Sequence, residues 1–164
     1  MLVNNAGFVN STYEKTQDNY ESIFQVTTQP LFAHNLLESV QLSERYGDSK
    51  LCLTVHAKTL QKKFRQEGIN IHTYACHPGA IPTNLWHNLG IAGLFLPIAN
   101  LIFRSTDDAA SVVLYPSLTP GVGDKLGGEY FESGKAVPPN KQVDLPEVQK
   151  RLWERSWNVT QDAN

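Results

Sequence analysis

The stretch from Tyr46 to Gly79 constrains this chain more than any other. Leu51, Val55, Leu60 and Phe64 recur at helical spacing between about Tyr46 and Glu67. Gly68 stands where a helix C-cap favours a left-handed residue. Ile69 to Cys76 then alternates and is rich in apolar residues, which predicts a strand closed by the turn His77-Pro78-Gly79. A long helix delivered by one glycine into a strand commits the chain to helices layered on a sheet.

The remaining segments repeat this alternation. Leu2-Val3 is a short apolar run ending at Asn5-Ala6-Gly7 and predicts a buried strand closed by a glycine turn. Asp18 with Glu21 forms a capping box for a helix that carries Tyr20, Ile23, Phe24, Val26, Leu31, Phe32, Leu36 and Leu37. Pro30 kinks or breaks that helix, and Gln41 to Arg45 forms a short polar link. Residues 89–103 are apolar. Asp107 or Asp108 caps a helix through Ala109, Val112, Val113 and Leu114 that Pro116 stops, and Gly127 to Phe131 predicts a short strand. Pro138-Pro139 marks a loop. Asp144 caps a last helix with Glu147 at the capping-box position, carrying Val148, Leu152 and Trp153. Strands alternating with helices predict an α/β domain with a parallel sheet.

Composition excludes several classes. The 164 residues suit one domain with a real core. A hydrophobic content of 41% with only 18% charged residues argues against disorder. The net charge of −2 gives no basic face of the kind nucleic-acid binding shows. Cys52 and Cys76 cannot build a disulfide framework, so reduced thiols are expected. Met1-Leu2-Val3 has no basic leader region, and a cytoplasmic location is expected. The 89–103 run contains Pro97 and Asn100 and is shorter than the ~20 residues of a membrane span. It is, however, the segment that would touch a membrane surface. Asn10-Ser11-Thr12 and Asn158-Val159-Thr160 fit the glycosylation sequon but read as ordinary loop and tail residues.

Tyr46 and Lys50 carry the chemistry. A spacing of four puts them one turn apart on one helix face. An ammonium beside a phenol favours the phenolate and lowers the tyrosine pKa, and such a tyrosine can exchange a proton with an alcohol or carbonyl oxygen. On spacing alone, a solvated helix end is the better reading of the pair, since Tyr-x-x-x-Lys occurs by chance in many helices.

Three motifs stand in order: Leu2-Val3-Asn4-Asn5-Ala6-Gly7, the Tyr46-x-x-x-Lys50 helix, and His77-Pro78-Gly79-Ala80-Ile81-Pro82-Thr83 after the next strand. Together they resemble the short-chain dehydrogenase/reductase family: its Asn-Asn-Ala-Gly strand end, its Tyr-x-x-x-Lys helix and its Pro-Gly-x-x-x-Thr loop. Ser49-Lys50-Leu51-Cys52 and Leu152-Trp153-Glu154-Arg155-Ser156 look like the subgroup around retinol dehydrogenases and the WW-domain oxidoreductase. The resemblance implies an NAD(P) cofactor. Asn4, Ala6 and Gly7 would lie against its adenosine side. Tyr46 would be the acid/base and Lys50 would hold the nicotinamide ribose. Pro78, Gly79, Ile81 and Thr83 would border the nicotinamide ring and carboxamide. The run 89–103 falls where the family builds its substrate lid and would suit an apolar substrate such as a retinoid, steroid or lipid aldehyde. The same run reads equally well as plain core packing.

The chain departs from the family pattern in three ways. It has no Gly-rich turn to hold a pyrophosphate at a helix N-terminus. The residue that would choose NAD from NADP is missing with that turn. The family's catalytic serine has no counterpart, since Ser39 and Ser43 do not end an apolar strand, and Thr27 occupies the place of the family's helix asparagine. The strand that normally separates the two helices is absent, and the Leu42–Arg45 link spans at most ~14 Å. Without that strand, 2–5 and 69–76 must pair with each other or leave exposed edges.

The expected architecture is therefore an α/β fold with a partial Rossmann-like, doubly wound, mostly parallel sheet that lacks its first strands and an internal strand. Residues 1–164 would form a single incomplete domain. The expected activity is NAD(P)-dependent oxidation or reduction of alcohol and carbonyl groups, weak or absent in this chain alone. The alternative is a non-catalytic truncated variant that dimerises with itself or docks on a full-length relative through helices 18–41 and 46–67.

Overall fold

A computed structural model of the chain describes residues 1–3, 14–17, 22, 42–79 and 105–162. Its elements are α1 (Leu42–Gln66), β1 (Ala75–His77), α2 (Thr106–Leu118), α3 (Val122–Leu126), β2 (Tyr130–Glu132), β3 (Lys135–Val137), a 3-10 turn (Lys141–Asp144) and α4 (Pro146–Asp162). The chain divides into two compact units. One comprises Met1 with Ala57–Lys141, and the other comprises Leu2–His56 with Gln142–Asn164.

The first unit contains an α/β sheet. β1 pairs parallel with β2, with Cys76 opposite Phe131. β2 pairs antiparallel with β3, with Phe131 opposite Ala136, so the described sheet is mixed rather than mostly parallel. The antiparallel strand arises from the hairpin turn Ser133-Gly134, where both residues have positive φ (55° and 80°). That geometry follows the natural twist of two adjacent strands. Phe131 is fully buried, with Tyr74 and Tyr115 presenting ring edges to it at centroid distances of 5.7 and 6.2 Å. Burying one such phenylalanine contributes about 2–3 kcal/mol. Ala109, Val112 and Pro116 of α2 and Val122 of α3 are also buried among the described residues of this unit.

α1 begins at Leu42, so residues 42–45 belong to the helix and form no extended link. At ~1.5 Å per residue they span less than half of an extended link. The helix ends as expected. Gly68 takes φ 68°, the Ile69 N–H donates to the Phe64 carbonyl at 2.8 Å, and the Gly68 N–H donates to the Arg65 carbonyl at 3.4 Å. These two bonds form a Schellman cap. The buried positions of α1 are not its large apolar ones. Val55 is buried, but its companions are Ser49, Thr59 and Gln61, while Leu51, Leu60 and Phe64 are half-exposed.

The strand expected over 69–76 is confined to Ala75–His77. Gln61 explains the difference. Its side-chain carbonyl accepts the Thr73 N–H at 2.8 Å, and its amide donates to the Ile71 carbonyl at 3.2 Å. The Thr73 hydroxyl donates to the Ala57 carbonyl at 2.7 Å. Backbone groups that a strand would offer to a neighbour are thus taken by a helix side chain. Met1–Val3 form no strand. Leu2 is 86% exposed, and no described strand pairs with this segment.

Helix ends also differ from expectation. Ser105, not Asp107 or Asp108, caps α2. It is extended (φ −64°, ψ 156°), and its hydroxyl accepts the Asp108 N–H at 3.0 Å. Asp107 and Asp108 occupy the first turn, where negative charge is favoured. Pro116 does not stop α2, because in the last turn it removes a single hydrogen bond, and two more residues follow it in the helix. Asp144 ends the 3-10 turn, two residues before α4 opens. Pro146 takes the first helical position, where a missing N–H is harmless.

In the second unit Val143 is fully buried, and the Gln149 amide donates to its carbonyl at 2.6 Å. The Asp18–Val40 helix, the 89–103 run and residues 4–7 lie outside the described residues. Only Ser22 of that helix is described, and it is buried.

Candidate functional site

Tyr46 and Lys50 lie in the part of α1 that belongs to the second unit. The helical rise brings them together: the Lys50 Nζ lies over the Tyr46 ring, 5.3 Å from its centroid. At that distance an ammonium is attracted by the negative face of the ring. Ser49, fully buried, donates its hydroxyl to the Tyr46 carbonyl at 2.7 Å, and the Thr54 hydroxyl donates to the Lys50 carbonyl at 3.1 Å. These bonds fasten the backbone of the pair. Ser49 had one legible signal in the sequence: it is a hydroxyl three residues after the tyrosine on a helix, the spacing for bonding back to a carbonyl.

The electrostatics differ from the expectation drawn from spacing. Burial raises the Tyr46 phenol above its ordinary value and lowers the Lys50 ammonium below its own. Removal from water disfavours each charged form. The lysine charge meets the face of the ring instead of the phenol oxygen, so it does not offset the burial of the phenolate.

Two further groups share this stretch. His56 stacks on Trp153 with centroids 5.5 Å apart and planes 7° from parallel, and burial lowers it to about 4. The Cys52 thiol is pushed up to about 12, by burial first and by the Asp48 carboxylate second. Cys76 is also raised by burial, and both cysteines are free thiols. Neither has the thiolate character of a nucleophile.

Pro78 and Gly79 follow β1 in the first unit, both half-buried, and Gly79 takes φ 92°. Side chains rarely adopt that conformation, so the backbone itself calls for glycine here. Asn4, Ala6, Gly7, Thr27, Ile81 and Thr83 lie outside the described residues. Among the described residues no group of His, Cys, Asp and Glu could hold a metal ion, and no helix is long and apolar enough to cross a membrane.

Known proteins share this sequence at low identity. Over 112 residues, 68% of the chain, it is 30% identical to the short-chain dehydrogenase TIC 32 A, chloroplastic, of Brassica napus, and the match takes in 35% of that protein. Over 116 residues, again 68% of the chain, it is 34% identical to the dehydrogenase/reductase SDR family member 13 of Bos taurus, 29% of which is covered. With retinol dehydrogenase 12 of Mus musculus it is 26% identical over 194 aligned positions, covering 98% of this chain and 59% of that protein. The chain thus spans between about a third and three-fifths of the curated relatives it matches. That last alignment is longer than the 164-residue chain, so at least 30 aligned positions have no residue of this chain opposite them. No family model and no solved structure matches the chain.

Proposed function

This chain is a homologue of the short-chain dehydrogenases/reductases, and from that premise we propose that it carries the proton-transfer half of an NAD(P)-linked alcohol/carbonyl oxidoreductase site. The observation that carries this reading is the Tyr46–Lys50 pair, in contact on one helix face at 5.3 Å. An ammonium has three donors and a phenol one, which suits the hydroxyls of a nicotinamide ribose. In this reading Lys50 holds that ribose, Tyr46 moves the proton, and Pro78, Gly79, Ile81 and Thr83 border the nicotinamide. Asn4, Ala6 and Gly7 lie on the adenosine side. The cofactor supplies or accepts the hydride.

The residues of the chain set the direction. With its pKa raised, Tyr46 keeps its proton at neutral pH and can give it to a developing alkoxide, the step that carbonyl reduction needs. Alcohol oxidation requires the phenolate, which burial disfavours. A retinoid, steroid or lipid aldehyde fits the apolar run 89–103. Thr27, at the place of the family's asparagine, offers a hydroxyl instead of an amide to any proton relay.

The second reading is a non-catalytic chain that binds a full-length relative through helices 18–41 and 46–67. The unactivated tyrosine and the aligned positions without a counterpart favour it. Titration with NADH and NADPH, followed by nucleotide fluorescence, separates the two. Micromolar binding supports the oxidoreductase. No binding, with an unchanged thermal melt in saturating nucleotide, leaves the docking reading alone.

A further inference from the structure

We propose that the C-terminal end of α1 and the turn behind it form a docking surface for an anionic lipid membrane. Lys58, Lys62, Lys63 and Arg65 place four cations on the last turns of α1, and Glu67 is the only acidic residue between 57 and 71. Four cations against Glu67 and Asp124, whose carboxylate lies 3.7 Å from the His72 imidazole, leave this stretch net positive in a chain whose overall charge is −2. Lys62 and Arg65 are exposed. Lys58, Lys62 and Lys63 also interact within the chain. Attraction to a charged surface depends on the summed charge near it and does not need an unengaged side chain.

Two apolar side chains follow the cations directly. Ile69 is 38% exposed and Ile71 51% exposed. Neither belongs to a loose loop. The Ile69 N–H is held by the Phe64 carbonyl at 2.8 Å, and the Ile71 carbonyl by the Gln61 amide at 3.2 Å. Arg65 is tied in turn, donating to the Gly127 carbonyl at 2.9 Å while keeping its other N–H groups. A cluster of cations followed by two held, branched apolar residues matches the boundary of a bilayer. Phosphate and carboxylate headgroups take the charge, and the isoleucines leave water for the acyl edge. A nucleic acid or other soluble polyanion would take the charge but would gain nothing from the isoleucines. This surface is separate from the Tyr46–Lys50 pair and does not depend on its reading.

The test is sedimentation of the full chain with vesicles of phosphatidylcholine containing about a third phosphatidylserine, against pure phosphatidylcholine, at about 0.1 M salt. Binding is expected to the mixed vesicles only. Lys62→Glu/Lys63→Glu should weaken it by about tenfold or more. Lys135→Glu/Lys141→Glu, which changes net charge equally on exposed residues outside this stretch and the helix packed on it, should leave it unchanged. Ile71→Ser should weaken binding several-fold while leaving the far-UV spectrum and thermal melt in place. Absence of binding to the mixed vesicles would overturn the proposal. So would equal losses in the two charge variants. Binding to a duplex DNA probe as tight as to vesicles, with no effect of Ile71→Ser on either, would show a general polyanion patch instead.

Discussion

The Gln61 side chain, on the helix, stands in for a neighbouring strand at Thr73: its carbonyl accepts the Thr73 N–H at 2.8 Å while its amide serves the Ile71 carbonyl at 3.2 Å. Gln61 is itself 2% exposed. Replacing it with leucine keeps the volume but leaves one backbone donor and one acceptor without their partner. We expect Gln61→Leu to cost about 2 kcal/mol, read as a lower urea midpoint at unchanged slope. A loss within a few tenths of a kcal/mol would mean that water replaces the amide.

Burial of the Tyr46 phenol sets a pH dependence. The phenol lies above its ordinary value of about 10, so its basic form is scarce at neutral pH. Any alcohol oxidation by the chain should keep rising as pH increases toward 10, whereas carbonyl reduction should be flat through neutrality. Tyr46→Phe should lower turnover at least ~100-fold in both directions. An oxidation rate that levels off near pH 7 would show that another group is the base.

His56 predicts an acid transition. Its folded value of about 4 lies below the 6.5 of an unperturbed imidazole. Between these values the unfolded chain binds the proton and the folded chain does not, so stability must fall as pH drops from about 6.5 to about 4. The loss should reach between about 1 and 3 kcal/mol. His56→Phe keeps an aromatic ring against Trp153 and should flatten this part of the stability–pH curve, measured by urea titration at a series of pH values. An unchanged slope would assign the transition to other groups.

Cys52 and Cys76 both carry raised thiol values, Cys52 at about 12. Thiolate, not thiol, is the nucleophile. Both should react slowly with a disulfide reagent at pH 8 in the native chain and rapidly in urea. Asp48→Asn should accelerate Cys52 only modestly, because burial, not the carboxylate, is its larger cause.

Elements whose signals are local were legible in sequence. Gly68 ends α1 as its backbone freedom requires, the Tyr46 and Lys50 spacing puts the two in contact, and Pro138-Pro139 stays outside regular structure. The strand expected over 127–131 appears as β2, but β3 and its hairpin have no sequence signal beyond the turn dipeptide Ser133-Gly134, because three-residue strands leave almost no alternation to read. The cap of α2 was misassigned by a few residues because serine and aspartate compete for the same role, and only the extended backbone of Ser105 decides between them.

Sequence alone therefore determined the bodies of α1, α2 and α4, the left-handed turn at Gly68, and that a tyrosine and a lysine share one helix face; each follows from bonds within a few residues. Tertiary structure decided the rest. Gln61 competes with strand pairing from ten or more residues away in the chain and holds 69–74 out of the sheet. Ser49, Thr59 and Gln61, not the large apolar side chains, are the other buried positions described in α1. The phenol that spacing alone would activate is instead made harder to ionise, because solvent exclusion is a property of the packed molecule.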